Sequence, residues 1–243
     1  MDLHESWALV TGAARRIGRA VSVGLAERGA NVVVHYRGSC AEAGETTAQV
    51  EKLGRRAFAI SADQSDWRAV EKCCGDVWER TGGIDVLVNN ASIYRRTPLA
   101  AVTEKDWDEM LDTNLKGPFA FARFLGPRMK ARGRGKIINV ADVGAERVWP
   151  GYIPYCISKA GVVAMTRGLA KALAPQVQVN AIGPGAILWP DGAGEEQKRR
   201  VLAQVPLARM GSPVDIARAV LYLAENDYVT GTFLPVDGGR AIN

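Results

Sequence analysis

The sequence predicts an α/β fold, with a doubly wound parallel sheet of about seven strands and helices on both faces. Short apolar runs that suit buried strands alternate with segments of helical periodicity along the chain. A glycine-containing turn at 11–18 follows the first apolar run and precedes the first helical segment. No internal repeat or linker-like composition interrupts this alternation, so we expect residues 1–243 to form one Rossmann-type domain.

The first elements form a βαβ unit of the size that a dinucleotide site requires. Residues 8–10 suit a buried strand, 17–28 a helix that Gly29 stops, and 31–36 a second apolar strand. Ser212 before Pro213 is typical of a helix cap. Further helices are predicted at 41–53, 65–80, 103–131, 154–174 and 213–224, and further strands at 56–61, 84–88, 136–140, 177–182 and 232–236.

The composition limits the possible functions. The chain is 47% hydrophobic and 23% charged, and it has no apolar run of the roughly 18–20 residues that a membrane span needs and no signal-peptide pattern. Its four scattered cysteines lack metal-site spacing, so we expect no metal and a reducing, cytoplasmic location. The net charge of +5 comes without a long basic block, which favours an anionic small molecule as the partner over nucleic acid.

The turn at 11–18 is the predicted phosphate site. Backbone N–H groups and the helix dipole at such a turn can approach a pyrophosphate. Gly12 and Gly18 are present, whereas Arg16 stands where a three-glycine fingerprint has its middle glycine, so an ordinary βα turn remains the alternative. We expect Arg15, Arg16 and Ile17 to contact the cofactor and the Arg16 guanidinium to lie beside both the pyrophosphate and the substrate.

The end of the second predicted strand favours NADPH over NADH. A site for the unphosphorylated cofactor has an acid there to bind the ribose hydroxyls, and this chain has none. Arg37 and Ser39, helped by His35 or Arg15, can hold a 2′-phosphate through charge-assisted hydrogen bonds, and Tyr36 lies among them. The alternative is a solvated basic turn.

A candidate catalytic centre lies near residue 150. Tyr155 and Lys159 are four residues apart, so on a helix they share a face. A free tyrosine has a pKa of about 10, and a nearby ammonium stabilises phenolate, so we expect Lys159 to lower the pKa of Tyr155. Asp142 follows the predicted strand 136–140, at the edge where such sheets bind ligands. We therefore predict that an acid, a phenol and an ammonium meet in one pocket.

Several motifs occur in order along the chain: the 11–18 turn, Asp63, the Asn89–Asn90–Ala91–Ser92 run, Asn114, the Tyr155/Lys159 pair, Pro184–Gly185 and Asp237–Gly238–Gly239. Taken together, these motifs resemble the short-chain dehydrogenase/reductase family over nearly the whole chain. The resemblance implies that Asp63 contacts the adenine and that Asn114 supports a proton relay through Lys159. It also implies that the cofactor is braced and bordered by Asn89, Ala91, Ser92, Pro184 and Gly185.

One departure points to a subfamily. Most members of the family have a serine thirteen residues before the tyrosine, where this chain has Asp142. A carboxylate repels a developing oxyanion but suits a substrate with N–H donors, such as a pterin ring. The chain resembles pteridine reductases, which share this substitution, at 11–19, 35–39 and 89–99, and its second half is similar to the bacterial dihydromonapterin reductase branch. A helix cap or a loop salt bridge is the alternative role for Asp142.

The resemblance also implies a set of substrate contacts. Tyr94 aligns with an aromatic residue that sandwiches the pterin against the nicotinamide, although a packed loop tyrosine is the alternative. The predicted substrate-binding residues are Arg16, Ser92, Tyr94, Asp142, Trp149, Tyr155 and Leu188.

We therefore expect NADPH-dependent reduction of a dihydropterin at a ring C=N bond, with Tyr155 and Lys159 relaying the proton and Asp142 orienting the ring. The alternatives are a carbonyl reductase of 3-oxoacyl thioesters or other ketones, and an NADPH-binding sensor without chemistry. The resemblance implies a homodimer or homotetramer formed through the helices at 103–131 and 154–174. The segment 188–206 is expected to be a mobile lid, since its start is rich in Pro and Gly and its middle is charged.

Overall fold

The computed structural model describes residues 1–189, 192 and 194–242. Within these residues seven parallel strands form one sheet in the order β3-β2-β1-β4-β5-β6-β7, which confirms the predicted fold class. The strands are β1 (Trp7–Val10), β2 (Asn31–Tyr36), β3 (Ala57–Ser61), β4 (Val86–Asn89), β5 (Gly135–Val140), β6 (Val177–Pro184) and β7 (Phe233–Val236).

Helices cover both faces of this sheet. They are α1 (Arg16–Glu27), α2 (Cys40–Lys52), α3 (Trp67–Thr81), α4 (Glu104–Leu111), α5 (Gly117–Ala131), α6 (Ile153–Leu173), α7 (Glu195–Leu202) and α8 (Pro213–Glu225). One apolar cluster joins α1, α2 and α8 to the sheet, and a second joins α3, α5 and the end of α6 to the other face. Burying each large apolar side chain in such a cluster contributes about 1.5–3 kcal/mol.

The structure corrects two of the predicted elements. The single helix expected at 103–131 is α4 and α5 joined by a π-helical segment, Asp112–Lys116, and such segments often mark functional sites. The segment 188–206 contains α7, which the sequence analysis did not predict. Residues 190, 191 and 193 of the predicted lid lie outside the described residues.

The strand order determines where the candidate site lies. Chain connections leave β1 towards β2 on one side, while β4 lies on the other side, so a crevice opens at the carboxyl ends of these two strands. The carboxyl ends of β5 and β6 continue the same edge, since every pairing in the sheet is parallel. The segments after β1, β4, β5 and β6 therefore converge along one rim.

Candidate active site

The turn between β1 and α1 is held by the loop that follows β4. The Thr11 hydroxyl accepts hydrogen bonds from the backbone N–H groups of Asn90 at 2.9 Å and Ala91 at 3.0 Å. The Asn90 side chain donates in return to the carbonyl oxygens of Thr11 and Gly12. Gly12 has φ +61°, and a Cβ on Gly18 would lie 2.2 Å from the Gly12 carbonyl oxygen. The turn therefore requires glycine at both positions, which leaves the amino end of α1 accessible to an anion.

His35 is buried and supports this turn from the protein interior, which corrects its predicted role as a phosphate ligand. Its side chain is only 2% exposed, and the Nδ1 atom accepts a hydrogen bond from the Gly12 N–H. The imidazole packs edge-on against Phe121. Burial lowers the pKa of His35 to about 4, so the ring is neutral at pH 7 and supplies no charge to a phosphate.

A cavity of about 700 Å³ runs from this turn along the carboxyl edge, within the range of small-molecule sites. At its far end the Arg37 guanidinium lies 3.5 Å from the Asp63 carboxylate, and Ser39 occupies the cap position of α2. The predicted cofactor residues that line this cavity are Gly12, Arg15, Arg16, Ile17, Gly18, His35, Tyr36, Arg37, Ser39, Asp63, Ala91 and Ser92.

Asn89 does not belong to this lining, which corrects a second prediction. Its side chain is buried in the core and donates to the Asn139 side-chain oxygen at 2.8 Å. Asn90, which lies just beyond β4, faces the cavity instead. Successive residues of an extended strand point to opposite sides, so this alternation was the signal that separates the two asparagines. Gln64 also escaped sequence reasoning, although its amide braces the loop by donating to the carbonyl oxygens of Ala91 and Thr113.

Asp142, Tyr155 and Lys159 meet at a second cavity of about 250 Å³, as the sequence predicts. The Tyr155 hydroxyl donates to Asp142 Oδ2 at 2.8 Å, while Asp142 Oδ1 accepts from the Gly144 N–H at 2.7 Å. Lys159 Nζ donates to the Val140 carbonyl at 2.9 Å and lies 5.8 Å from the centre of the Tyr155 ring. We call this second space the reaction cavity and the first the cofactor cavity.

The charges in the reaction cavity correct the predicted pKa of Tyr155. Burial, followed by the neighbouring Asp142 carboxylate, raises the pKa of Tyr155 well above 10, because both effects favour the neutral phenol. Burial also lowers the pKa of Lys159 to about 8. Burial raises the pKa of Asp142, although the Gly144 N–H partly offsets this effect. The tyrosine therefore keeps its proton and donates a hydrogen bond to the carboxylate.

Asn114 lies in the π-helical segment and is buried. Its side-chain oxygen accepts from the Ile93 N–H at 2.8 Å, and its amide donates to the Ile93 carbonyl and to the Ser158 hydroxyl. These contacts anchor the loop that carries Tyr94 to the helix that carries Tyr155. The relay from Asn114 to Lys159 stays a prediction.

Aromatic rings form one wall of the reaction cavity. Tyr94 stacks on Tyr152 with ring centres 4.7 Å apart and an interplanar angle of 10°, and its ring meets Tyr155 at 81°. Trp149 packs edge-on against Tyr152, a residue that sequence reasoning missed. Both cavities are lined by Ile17, Asn90, Ser92, Tyr94 and Leu188, so the two spaces adjoin. The further predicted residues that line the reaction cavity are Asp142, Trp149, Tyr155, Lys159, Pro184 and Gly185.

Arg240 is the most informative residue that the sequence analysis did not select. It comes from the turn after β7, about one hundred residues beyond Asp142 in the chain, and lines the same cavity. Its guanidinium carbon lies 5.0 Å from the centre of the Trp149 ring. The run Asp237–Gly238–Gly239 was part of the resemblance, but nothing in its spacing indicates that the next residue, Arg240, lines the same cavity as Asp142.

Comparison with known proteins assigns this geometry to a family. The family model described as enoyl-(acyl carrier protein) reductase matches residues 12–241. The chain belongs to the short-chain dehydrogenase/reductase family. Within this family it is 40% identical over 237 residues to the 3-oxoacyl-[acyl-carrier-protein] reductase FabG of Staphylococcus aureus, covering 96% of each chain.

Solved structures of similar chains share the fold over nearly their whole length. A blue fluorescent protein from a metagenomic library, in complex with NADPH, matches with a TM-score of 0.92 and 35% identity, covering 99% of this chain and all of the other. A gluconate 5-dehydrogenase from Burkholderia cenocepacia, in complex with NADP and tartrate, matches with a TM-score of 0.93 and 31% identity, covering 100% and 98%.

The family membership establishes that the chain is an oxidoreductase of the short-chain type, as the sequence predicts. The name of the FabG relative favours the carbonyl-reductase alternative over the expected pteridine reductase. Among the described residues, no helix combines the length and apolar character that crossing a bilayer demands.

Proposed function

We propose that this short-chain reductase uses NADPH to reduce a ring C=N bond of a flat heterocycle, of the dihydropterin type. The observation that carries the proposal is the Asp142 carboxylate, which faces the reaction cavity and accepts a hydrogen bond from the Tyr155 hydroxyl. Most family members are expected to have a serine at this position. An acceptor there suits a substrate with N–H donors better than it suits a carbonyl oxygen that gains negative charge.

NADP(H) is the cofactor, and the chain fits it on three counts. The glycine turn folds closely enough to leave the amino end of α1 accessible to a pyrophosphate, and a Cβ on Gly18 would clash with the Gly12 carbonyl oxygen within that turn. Arg37 and Ser39, rather than an acid, follow β2, and they suit a 2′-phosphate. Two solved structures of similar chains are complexes with NADPH or NADP. When bound, the cofactor supplies the hydride.

The residues of the reaction cavity divide the remaining work. Tyr155 keeps its proton at neutral pH and gives it to the ring nitrogen beside the reduced carbon. The Lys159 ammonium stabilises the negative charge that then develops on the phenol. Asp142 accepts a substrate N–H and fixes the orientation of the ring. Tyr94 and Trp149 provide aromatic faces for a flat substrate and help to exclude water.

A second candidate is the reduction of a 3-oxoacyl thioester, which the FabG relative favours by its name. In this case Asp142 must be protonated and donate a hydrogen bond to the substrate carbonyl, as a serine hydroxyl would. Burial raises the pKa of Asp142, so its protonated form persists at higher pH than that of an exposed aspartate. The two candidates therefore differ in the protonation state that they require of Asp142.

The experiment measures NADPH oxidation with dihydrobiopterin and with an acetoacetyl thioester, in the wild type and in Asp142→Ser. We expect faster turnover of the pterin by the wild type and a loss of about a hundredfold in Asp142→Ser, with NADPH affinity unchanged. Asp76→Ser removes an acid that pairs with Lys72 on the surface of α3 and serves as the matched control. Faster thioester reduction by the wild type, or an unchanged pterin rate in Asp142→Ser, contradicts the pterin assignment.

We also propose that two copies of the chain pair through α4–α6. An apolar groove of about 490 Å³ is lined there by Leu115, Phe119, Met165 and Leu169, and Phe119 is 42% exposed. Phe119→Glu should shift the protein towards the monomer in light scattering, because a charge in an apolar interface is costly. A wild type that is already monomeric at micromolar concentration contradicts this pairing.

A further inference from the structure

Arg240 is carried by a braced turn. The Asp237 carboxylate accepts hydrogen bonds from the N–H groups of Gly239 at 2.9 Å and Ala241 at 2.6 Å. Arg147 Nη1 donates to the Arg240 carbonyl at 2.7 Å, which ties this turn to the segment after β5. These contacts fix the backbone from which the guanidinium extends into the reaction cavity.

The guanidinium lies over Trp149 in the same cavity as the Asp142 carboxylate. Arg240 Nε and Trp149 Nε1 are both buried, and neither has a hydrogen-bond partner among the described residues. Buried polar groups in folded proteins almost always have a partner, and an unmet donor is costly. Trp149 and Arg240, each with a buried nitrogen that lacks a partner among the described residues, therefore line the same cavity as Asp142, the acceptor that is hydrogen-bonded to Tyr155.

We propose that Arg240 is a substrate-binding residue. Together with Asp142 it selects substrates that carry a hydrogen-bond acceptor and a hydrogen-bond donor side by side on one planar edge. The guanidinium donates to a ring nitrogen or carbonyl oxygen, while Asp142 accepts from an N–H of the same molecule. A lactam or amidine edge presents this combination, whereas a simple ketone presents only an acceptor. The inference rests on the proposed function, because it identifies the substrate edge that the same cavity takes.

The local charges are consistent with this pairing. Burial lowers the pKa of Arg240, and the Asp142 charge opposes that effect, so the guanidinium remains charged at neutral pH. The Arg240 charge in turn acts to lower the pKa of Asp142. The Lys159 ammonium is bound to the Val140 carbonyl at the base of the cavity. Among the described lining residues, Arg240 therefore supplies the planar set of donors on the substrate side.

A purely structural role for Arg240, as a cation packed on Trp149, predicts different behaviour. In that case loss of the guanidinium lowers the melting temperature or weakens both substrate and NADPH binding. The substrate KM of a variant then does not depend on whether its side chain keeps a charge or a donor. Arg240→Lys keeps the charge but loses the planar fork, and Arg240→Met keeps most of the packing without any donor.

The experiment compares Arg240→Gln, Arg240→Lys and Arg240→Met by steady-state kinetics with dihydrobiopterin, NADPH affinity from fluorescence titration, and thermal melting. We expect Arg240→Gln and Arg240→Met to raise the KM for dihydrobiopterin at least tenfold, Arg240→Lys to recover part of that loss, and NADPH affinity to stay within twofold of wild type. The matched control is Arg28→Gln. Arg28 follows α1, at the amino ends of the strands and away from both cavities, and it pairs with Glu225.

Each outcome decides the inference. If the wild type reduces dihydrobiopterin and Arg240→Gln has the wild-type KM, the inference fails while the proposed function stands. A change confined to melting temperature or NADPH affinity also overturns it in favour of a structural role. If the wild type reduces only the acetoacetyl thioester, the proposed function fails and the selectivity fails with it. If Arg240→Gln does not fold, Arg240→Met and Arg240→Lys decide by the same criteria.

Discussion

The cofactor cavity and the reaction cavity adjoin but are built in different ways. The first is shaped by backbone: glycines at 12 and 18, and hydrogen bonds between the turn after β1 and the loop after β4. The second is shaped largely by side chains that come from α6 and from the segments after β4, β5, β6 and β7. Cofactor binding and substrate choice should therefore respond to different substitutions.

The largest expected effect comes from removing the reacting hydroxyl, which lies in the reaction cavity and not in the cofactor cavity. Tyr155→Phe removes the proton donor but keeps the ring against Tyr94, so we expect kcat to fall about a thousandfold with no change in NADPH affinity. Single-turnover rates and fluorescence titration measure the two quantities separately. A loss of less than tenfold in kcat would mean that another group supplies the proton.

The converse test changes the cofactor cavity alone. Gly18→Ala places a methyl group 2.2 Å from the Gly12 carbonyl, so the turn must shift and NADPH affinity should fall roughly a hundredfold. Gly44→Ala is the matched control, since a Cβ there meets nothing within 4 Å and α2 accepts alanine readily. Equal NADPH affinities in Gly18→Ala, Gly44→Ala and the wild type would contradict the rigid turn.

The pH dependence of kcat tests the reaction cavity without altering the residues of the cofactor cavity. Burial lowers the pKa of Lys159 to about 8, and the ammonium form exists below that value, so we expect kcat to fall about tenfold per pH unit above it. The Asp142 charge raises the pKa of Lys159, so Asp142→Asn should move this break to lower pH. NADPH affinity should stay flat between pH 7 and 9.

A pH profile of kcat that stays level to pH 10 would show that the lysine charge is not required. A break in the Asp142→Asn profile at the wild-type pH would show that the carboxylate and the ammonium are not coupled.

The smallest expected effect concerns the choice between the two nicotinamide cofactors. Arg37→Ser removes one cation at the end of β2, so NADPH affinity should fall about tenfold while NADH affinity stays constant. Titration with both cofactors gives the ratio. An equal loss for both would mean that Arg37 acts through its contact with Asp63 and not through a 2′-phosphate.

Sequence patterns predicted the features that depend on neighbours along the chain. The alternation of apolar runs and helical segments predicted the sheet, and the glycine turn predicted that the amino end of α1 would be accessible to an anion. The Tyr155/Lys159 spacing on one helix turn predicted that both would face one cavity with Asp142. In each case the physical cause is local: the period of a strand or helix, or the conformational freedom of glycine.

The remaining features depend on tertiary structure, because they arise from segments far apart in the chain. Burial keeps the His35 ring neutral, although its position beside Arg37 suggested a phosphate ligand. Burial and the Asp142 charge raise the pKa of Tyr155, although the lysine spacing alone suggested the opposite. Arg240 lies over Trp149, far away in the chain, and the turn after β7 that carries it is held by Asp237 and Arg147. Sequence by itself determined the fold and the reacting pair, whereas the packing of distant segments decided their charges and their neighbours.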